Sequence, residues 1–162
     1  MVHTHCLSTL PRTAHSVPFI ELRQSLPSKV AAIPPFVDQL MRFILRFRRA
    51  DGSEGEIEMA LHEALANAVI HGNRGNSCRR VYVTCRCYTD GEVLITVRDE
   101  GRGFDSSTLL DPTSSENLLF THGRGIYLMK ALMDEVCFEE GGAVVMMRKK
   151  ANASSAEERK PQ

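Results

Sequence analysis

Two alternating segments, VYVTCRCY at 81–88 and EVLITVRD at 92–99, limit what this chain can fold into more than any other feature. Val81, Val83, Cys85 and Cys87 share one side of the first, and Val93, Ile95 and Val97 share one side of the second, which is the period of half-buried strands. Asp90 and Gly91 supply a hairpin turn between them. A sheet with one apolar face needs a cover, so the rest of the chain has to provide amphipathic helices. The same alternation puts Asp99 on the side of Val93, Ile95 and Val97, which places a carboxylate at the core face of a strand end.

The helices are there. PSKVAAIPPFVDQLMRFILRF carries Val37, Leu40, Met41, Ile44 and Leu45 at helical spacing, with Pro34 and Pro35 as a start signal. ADGSEGE then offers a turn, a Ser53 cap and acidic first-turn residues, and EIEMALHEALANAVIHGN runs on to a stop at Gly72 and Asn73. FIELRQSL, bounded by prolines, predicts a first strand at a sheet edge, and GIYLMKALM predicts a short helix before a second hairpin, DEVCFEE and AVVMMRKK, joined through Gly141 and Gly142. The order predicts an α+β fold, a two-layer sandwich with a mixed, mostly antiparallel sheet and helices on one face.

With 162 residues the expectation is one domain over 18–150, flanked by disordered tails at 1–17 and 151–162. Lys plus Arg and Asp plus Glu number 20 each, so no global field draws the chain to nucleic acid or to an anionic membrane. No apolar run is long enough to cross a bilayer, and the opening segment has no apolar leader core, which predicts a cytoplasmic protein. Cys85 and Cys87 read as small buried hydrophobes, and the five cysteines as reduced thiols without a disulfide framework.

Within the second helix, Ile57, Leu61, Ala64, Leu65 and Ala68 share one arc, and Glu63, Asn67 and His71 form a polar strip beside it. Met59 and Ile70 bound that strip, so burying them would bury part of it. The helix alone leaves two readings open, a pocket wall or an ordinary surface. The remaining segments favour the pocket. Glu63 suits a general base, and Asn67 offers a neutral oxygen to a hard cation such as magnesium. Asp99 suits an amino-bearing heterocycle, and Gly101 and Gly103 let backbone approach a flat ring. Gly123 and Gly125 precede a helix whose first amides suit phosphate.

Three stretches in this order, HEALANAVIHGN, DEGRGFD and HGRGIYLMKALMDEV, resemble the N box and two glycine boxes of the histidine-kinase-like (GHKL) ATPase superfamily. The pattern E-A-x-x-N-A-x-x-H-G-N, with ENLL ahead of GRGI, is similar to the single-domain serine kinases that act as anti-sigma factors. The resemblance spans about residues 19 to 149. It implies a histidine-kinase-like ATPase fold, ATP and Mg2+ as ligands, and serine/threonine protein kinase activity toward an anti-anti-sigma (STAS-type) protein. It also implies a sigma factor as a second partner and is compatible with a homodimer, while the balanced charge predicts no direct contact with nucleic acid or membrane. By the resemblance Glu63 is the catalytic base, Asn67 holds magnesium, and Asp99 binds the adenine amino group. Gly101, Gly103 and Phe104 shape the adenine side, and residues 105–122 form a lid. Gly123, Arg124, Gly125 and Ile126 hold phosphates, with His71 and Asn73 close to them. Ala143 stands where many members carry a threonine that assists the adenine carboxylate. The alternative is a nucleotide-dependent binding module that sequesters a sigma factor without transferring phosphate.

Overall fold

The computed structural model describes residues 18–48, 50–102 and 121–152, with only the backbone described for 121–123. The tail expected at 1–17, residues 153–162 of the tail expected at 151–162, most of the expected lid, and Gly103 and Phe104 lie outside the described residues.

Strand β1 (Pro18–Pro27) is followed by helices α1 (Ile33–Phe47) and α2 (Glu54–Asn67), then by strands β2 (Arg80–Tyr88) and β3 (Val93–Asp99). Helix α3 (Thr121–Leu132) and strands β4 (Glu135–Glu139) and β5 (Val144–Lys149) complete the order anticipated from sequence. The sheet order is β1-β2-β3-β5-β4. Every pairing is antiparallel, so the mostly antiparallel sheet is antiparallel throughout its described strands. β1 takes the edge, and β3 lies at the centre with Val81 opposite Asp99 on one side and Val144 opposite Arg98 on the other.

The alternating residues do what their period requires. Val81, Val83, Cys85, Cys87, Val93, Ile95 and Val97 are all buried, in one core with Ile57, Leu61, Ala64 and Leu65 of α2 and Val37, Leu40 and Ile44 of α1. Each Val, Leu or Ile among them stabilises the fold by about 1.5–3 kcal/mol when removed from water. α2 is the central helix, packed between α1 and α3. Leu45, expected on the buried side of α1, is exposed because it lies past the arc of Leu40, Met41 and Ile44. β5 is buried along all six residues, so it lacks the one-sided pattern of β2 and β3. Its Lys149 Nζ donates to the Leu132 carbonyl at 2.8 Å and so closes the C-terminus of α3.

A buried ion pair organises the end of the sheet away from Asp99. Arg48, which follows α1, donates to both oxygens of Asp51 at 3.0 and 2.7 Å, while its Nε reaches the Gly91 carbonyl and its Nη2 also reaches the Lys150 carbonyl. Ser53 differs from the expected cap: its hydroxyl donates to Asp51 Oδ1 at 2.6 Å and makes no cap bond to α2. Cys78, Cys85 and Cys87 carry free thiols, whereas Cys137 is disulfide-bonded, a departure from the expectation of reduced thiols.

Candidate functional site

α3 closes on the polar residues in the C-terminal half of α2, and the end of β3 closes on the turn that follows them. Glu63 and Asn67 lie one turn apart on a half-buried face. Gly125 of α3 comes so close that a Cβ there would sit 2.6 Å from Glu63 Oε2 and 3.5 Å from Asn67 Nδ2. The sequence placed a wall of Met59 and Ile70 around this strip. Instead both are about half exposed, at 50% and 47%, and it is α3 that shelters Glu63 and Asn67.

α3 also begins earlier than its glycines suggested. Thr121 is its first residue, so Gly123 and Gly125 lie in its first turns rather than before it. Packing against α2 carries the helix through residues of poor propensity. Arg124 is exposed, whereas Ile126 is 8% exposed and joins the core, where it anchors α3.

At the other end, α2 widens into a π turn over Ala68–Gly72, with the Asn73 amide donating to the Ala68 carbonyl at 2.8 Å. Such insertions recur at functional sites because they re-aim the residues that follow. Here the turn brings Gly72 against the end of β3. A Cβ on Gly72 would collide with the Asp99 carboxylate, and one on Gly101 would collide with the Gly72 carbonyl. Two glycines therefore allow two stretches of backbone to crowd one carboxyl group.

Asp99 is 7% exposed. Burial pushes its carboxyl above the usual range, and the Gly101 amide and the Arg79 charge oppose that rise. Its Oδ1 accepts from the Gly101 N–H at 2.7 Å, and its own N–H donates to the Ala143 carbonyl at 3.0 Å. An open cavity of about 570 Å³ lies beside it, lined by Tyr82, Arg98, Asp99, Glu100, Gly101, Glu140 and Ala143. His71 is exposed at the π turn.

Asn73 does not have a free side chain. It is fully buried, its Nδ2 donates to the Arg80 carbonyl at 2.9 Å, and its Oδ1 accepts from the Glu100 N–H at 2.9 Å. Glu100 in turn accepts from the Arg80 N–H at 2.8 Å and from the Tyr82 hydroxyl at 3.0 Å. Sequence reasoning missed Glu100 and Tyr82. The hairpin register held a signal for them, since Val81 opposite Asp99 puts Arg80 beside Glu100.

Glu63 and Gly72 are separated along the helix by roughly 13 Å. The arrangement suits an elongated ligand that offers hydrogen-bond donors to a buried carboxylate at one end and reacting groups to Glu63 at the other.

Residues 26–149 match the family described as "Histidine kinase-like ATPase domain". The chain is 35% identical over 97 residues to an anti-sigma F factor of Heyndrickxia coagulans, covering 57% of this chain and 66% of that one. It is 33% identical over 143 residues to the serine-protein kinase RsbW of Staphylococcus epidermidis, covering 81% of this chain and 86% of that one. Among solved structures, the RsbU and RsbW domains of a Mycobacterium tuberculosis protein share the fold with a TM-score of 0.57 at 20% identity, over 84% of this chain and 33% of that one.

Proposed function

The chain belongs to the histidine kinase-like ATPase domain family, and from that premise we propose that it is an ATP-dependent serine/threonine protein kinase acting as an anti-sigma regulator. Relatives named as anti-sigma factors and as a serine-protein kinase support both halves of this reading. The observation that carries it is the placement of Glu63 and Asn67 on one face of α2 under Gly125, with Asp99 at the far end of the same helix. In this reading ATP lies along α2, its adenine amino group donating to Asp99 and its phosphates at the start of α3. Its substrate is a serine on an anti-anti-sigma protein of the STAS type, and its second partner is a sigma factor.

Asn67 is the residue that would hold magnesium, which neutralises phosphate charge when bound. The donor set fits that role. Asn67 lies half-buried one turn from Glu63, and its amide oxygen would be one ligand of a hard cation whose other positions phosphate oxygens and water would fill. Glu63 accepts the proton of the attacking serine hydroxyl as its oxygen bonds to the γ-phosphorus and the bond to the ADP oxygen breaks. Arg124, exposed in the first turn of α3, and the backbone of Gly123 are the groups assigned to the transferring charge. His71 is left near the phosphates. Gly101, Gly103 and Phe104 are assigned to the adenine side, and Ile126 keeps α3 in place.

No helix among the described residues is long and apolar enough to cross a membrane, which supports a cytoplasmic setting. The edge position of β1 and the exposure of Phe19 support a homodimer built on β1 and α1.

The test is phosphorylation of a STAS-type partner, read as phosphoserine by mass spectrometry. Glu63→Ala is expected to slow transfer by about 10²- to 10⁴-fold while ATP affinity holds. Transfer at the normal rate would remove Glu63 as the base. ATP and sigma-factor binding without transfer by the unaltered protein would make it a binding module.

A further inference from the structure

Beyond the last strand pair, Val81 with Asp99, the ladder of β2 and β3 is continued by side chains. The Arg80 N–H, which would otherwise meet a strand carbonyl, donates to Glu100 Oε2 at 2.8 Å. The Arg80 carbonyl accepts from Asn73 Nδ2, and the Glu100 N–H donates to Asn73 Oδ1, both at 2.9 Å. Asn73, Arg80 and Glu100 thus form a closed ring of hydrogen bonds. The donor and acceptor partners leave the Asn73 amide only one orientation. The Tyr82 hydroxyl secures the second Glu100 oxygen at 3.0 Å. All three N–H groups of the 99–101 segment are consequently placed: Asp99 on Ala143, Glu100 on Asn73, and Gly101 on the Asp99 carboxylate.

We infer that Asn73 and Glu100 are positioning residues for base selection, holding the Asp99–Gly101 segment so that the Asp99 carboxylate stays where it reads an amino group. The inference rests on the reading of Asp99 as the adenine-binding residue. It also reassigns Asn73, expected near the phosphates, because both polar atoms of its side chain are already used in a fully buried place. An orienting role differs from general support of the fold in what it controls. A looser ring lets Asp99 drift, which weakens ATP but not a nucleotide without the exocyclic amine.

The experiment measures the affinity of the full chain for ATP and for purine riboside triphosphate, which lacks the 6-amino group, by calorimetry, with thermal melts to confirm folding. Asp99→Ala, Asn73→Asp and Glu100→Ala are compared with the unaltered protein. The unaltered protein is expected to prefer ATP. Glu100→Ala and Asn73→Asp are expected to weaken ATP by about 3- to 10-fold and to change the analogue by less than about 2-fold. Glu100 is exposed, so Glu100→Ala carries the test if Asn73→Asp does not fold. A folded Glu100→Ala with the full preference for ATP would overturn the inference alone. An Asp99→Ala protein that still preferred ATP would overturn the adenine reading and the inference together.

Discussion

A methyl group on Gly125 would meet the Glu63 carboxylate at 2.6 Å, which is the far end of a flexible side chain and can shift. Gly101 is a different case, because a methyl there would meet the Gly72 carbonyl, which is backbone and cannot yield cheaply. Gly125→Ala therefore separates stability from chemistry. The substitution removes a helix cost of up to about 1 kcal/mol and displaces the proposed base by a fraction of a side-chain length. The expected result is a melting temperature equal to or above that of the unaltered protein, with phosphotransfer reduced roughly 10- to 100-fold and ATP affinity little changed. Parallel melts, calorimetry and transfer rates check it; an unchanged transfer rate would mean that Glu63 needs no fixed place. The glycines themselves stand out in the sequence, but their close neighbours do not, since Glu63 and Gly125 lie far apart along the chain.

Between elements, the Arg48 and Asp51 pair fastens the end of α1 to the β2–β3 turn and to the end of β5, and both side chains are 2% exposed. Burial raises the Asp51 carboxyl, but bonds from Ser53 and Asn152 together with the Arg48 charge outweigh it and bring it down to about 2 from 3.8. Removing one partner leaves an uncompensated buried charge, so Asp51→Asn is expected to cost about 3–5 kcal/mol in urea unfolding. The pH dependence has a definite sign. A folded value below the unfolded one gives stability that is fully present above about 3.8 and is lost as pH falls through about 2. The difference between the unaltered protein and Asp51→Asn should therefore shrink on acidification, and a difference independent of pH would refute the clasp. In sequence, Arg46, Arg48 and Arg49 look alike as basic residues at a helix end. The fold alone buries Arg48 while Arg46 stays exposed.

In the molecule as a whole, the site gathers the end of the central strand, one full helix and the start of another. A ligand lying across them ties α2, α3 and β3 together and binds only the folded state. ATP with magnesium at about 100 times its dissociation constant is expected to add about 2.7 kcal/mol, a rise of roughly 5–10 °C in melting temperature. Asp99→Ala should lose most of that rise at the same nucleotide concentration. A rise of equal size in Asp99→Ala would place the nucleotide elsewhere on the fold.

Element types, their order, the buried arc of α2 and the core side of Asp99 could all be read from the chain, because periods of 2 and 3.6 residues are local geometry. Asp99 stood out for the same reason, as a carboxylate on a strand face that local geometry makes apolar, whereas Glu63 and Asn67 formed a polar strip beside the apolar arc of α2. What the chain could not announce were contacts across long separations: α3 sheltering Glu63, Asn73 spent on Arg80 and Glu100, and Arg48 reaching the carbonyl of Lys150, 102 residues away. Those depend on which surfaces meet once the sheet is covered, and no local period encodes that. Tertiary packing alone decided that Met59 and Ile70 stay half exposed and that both polar atoms of the Asn73 side chain are spent inside the fold.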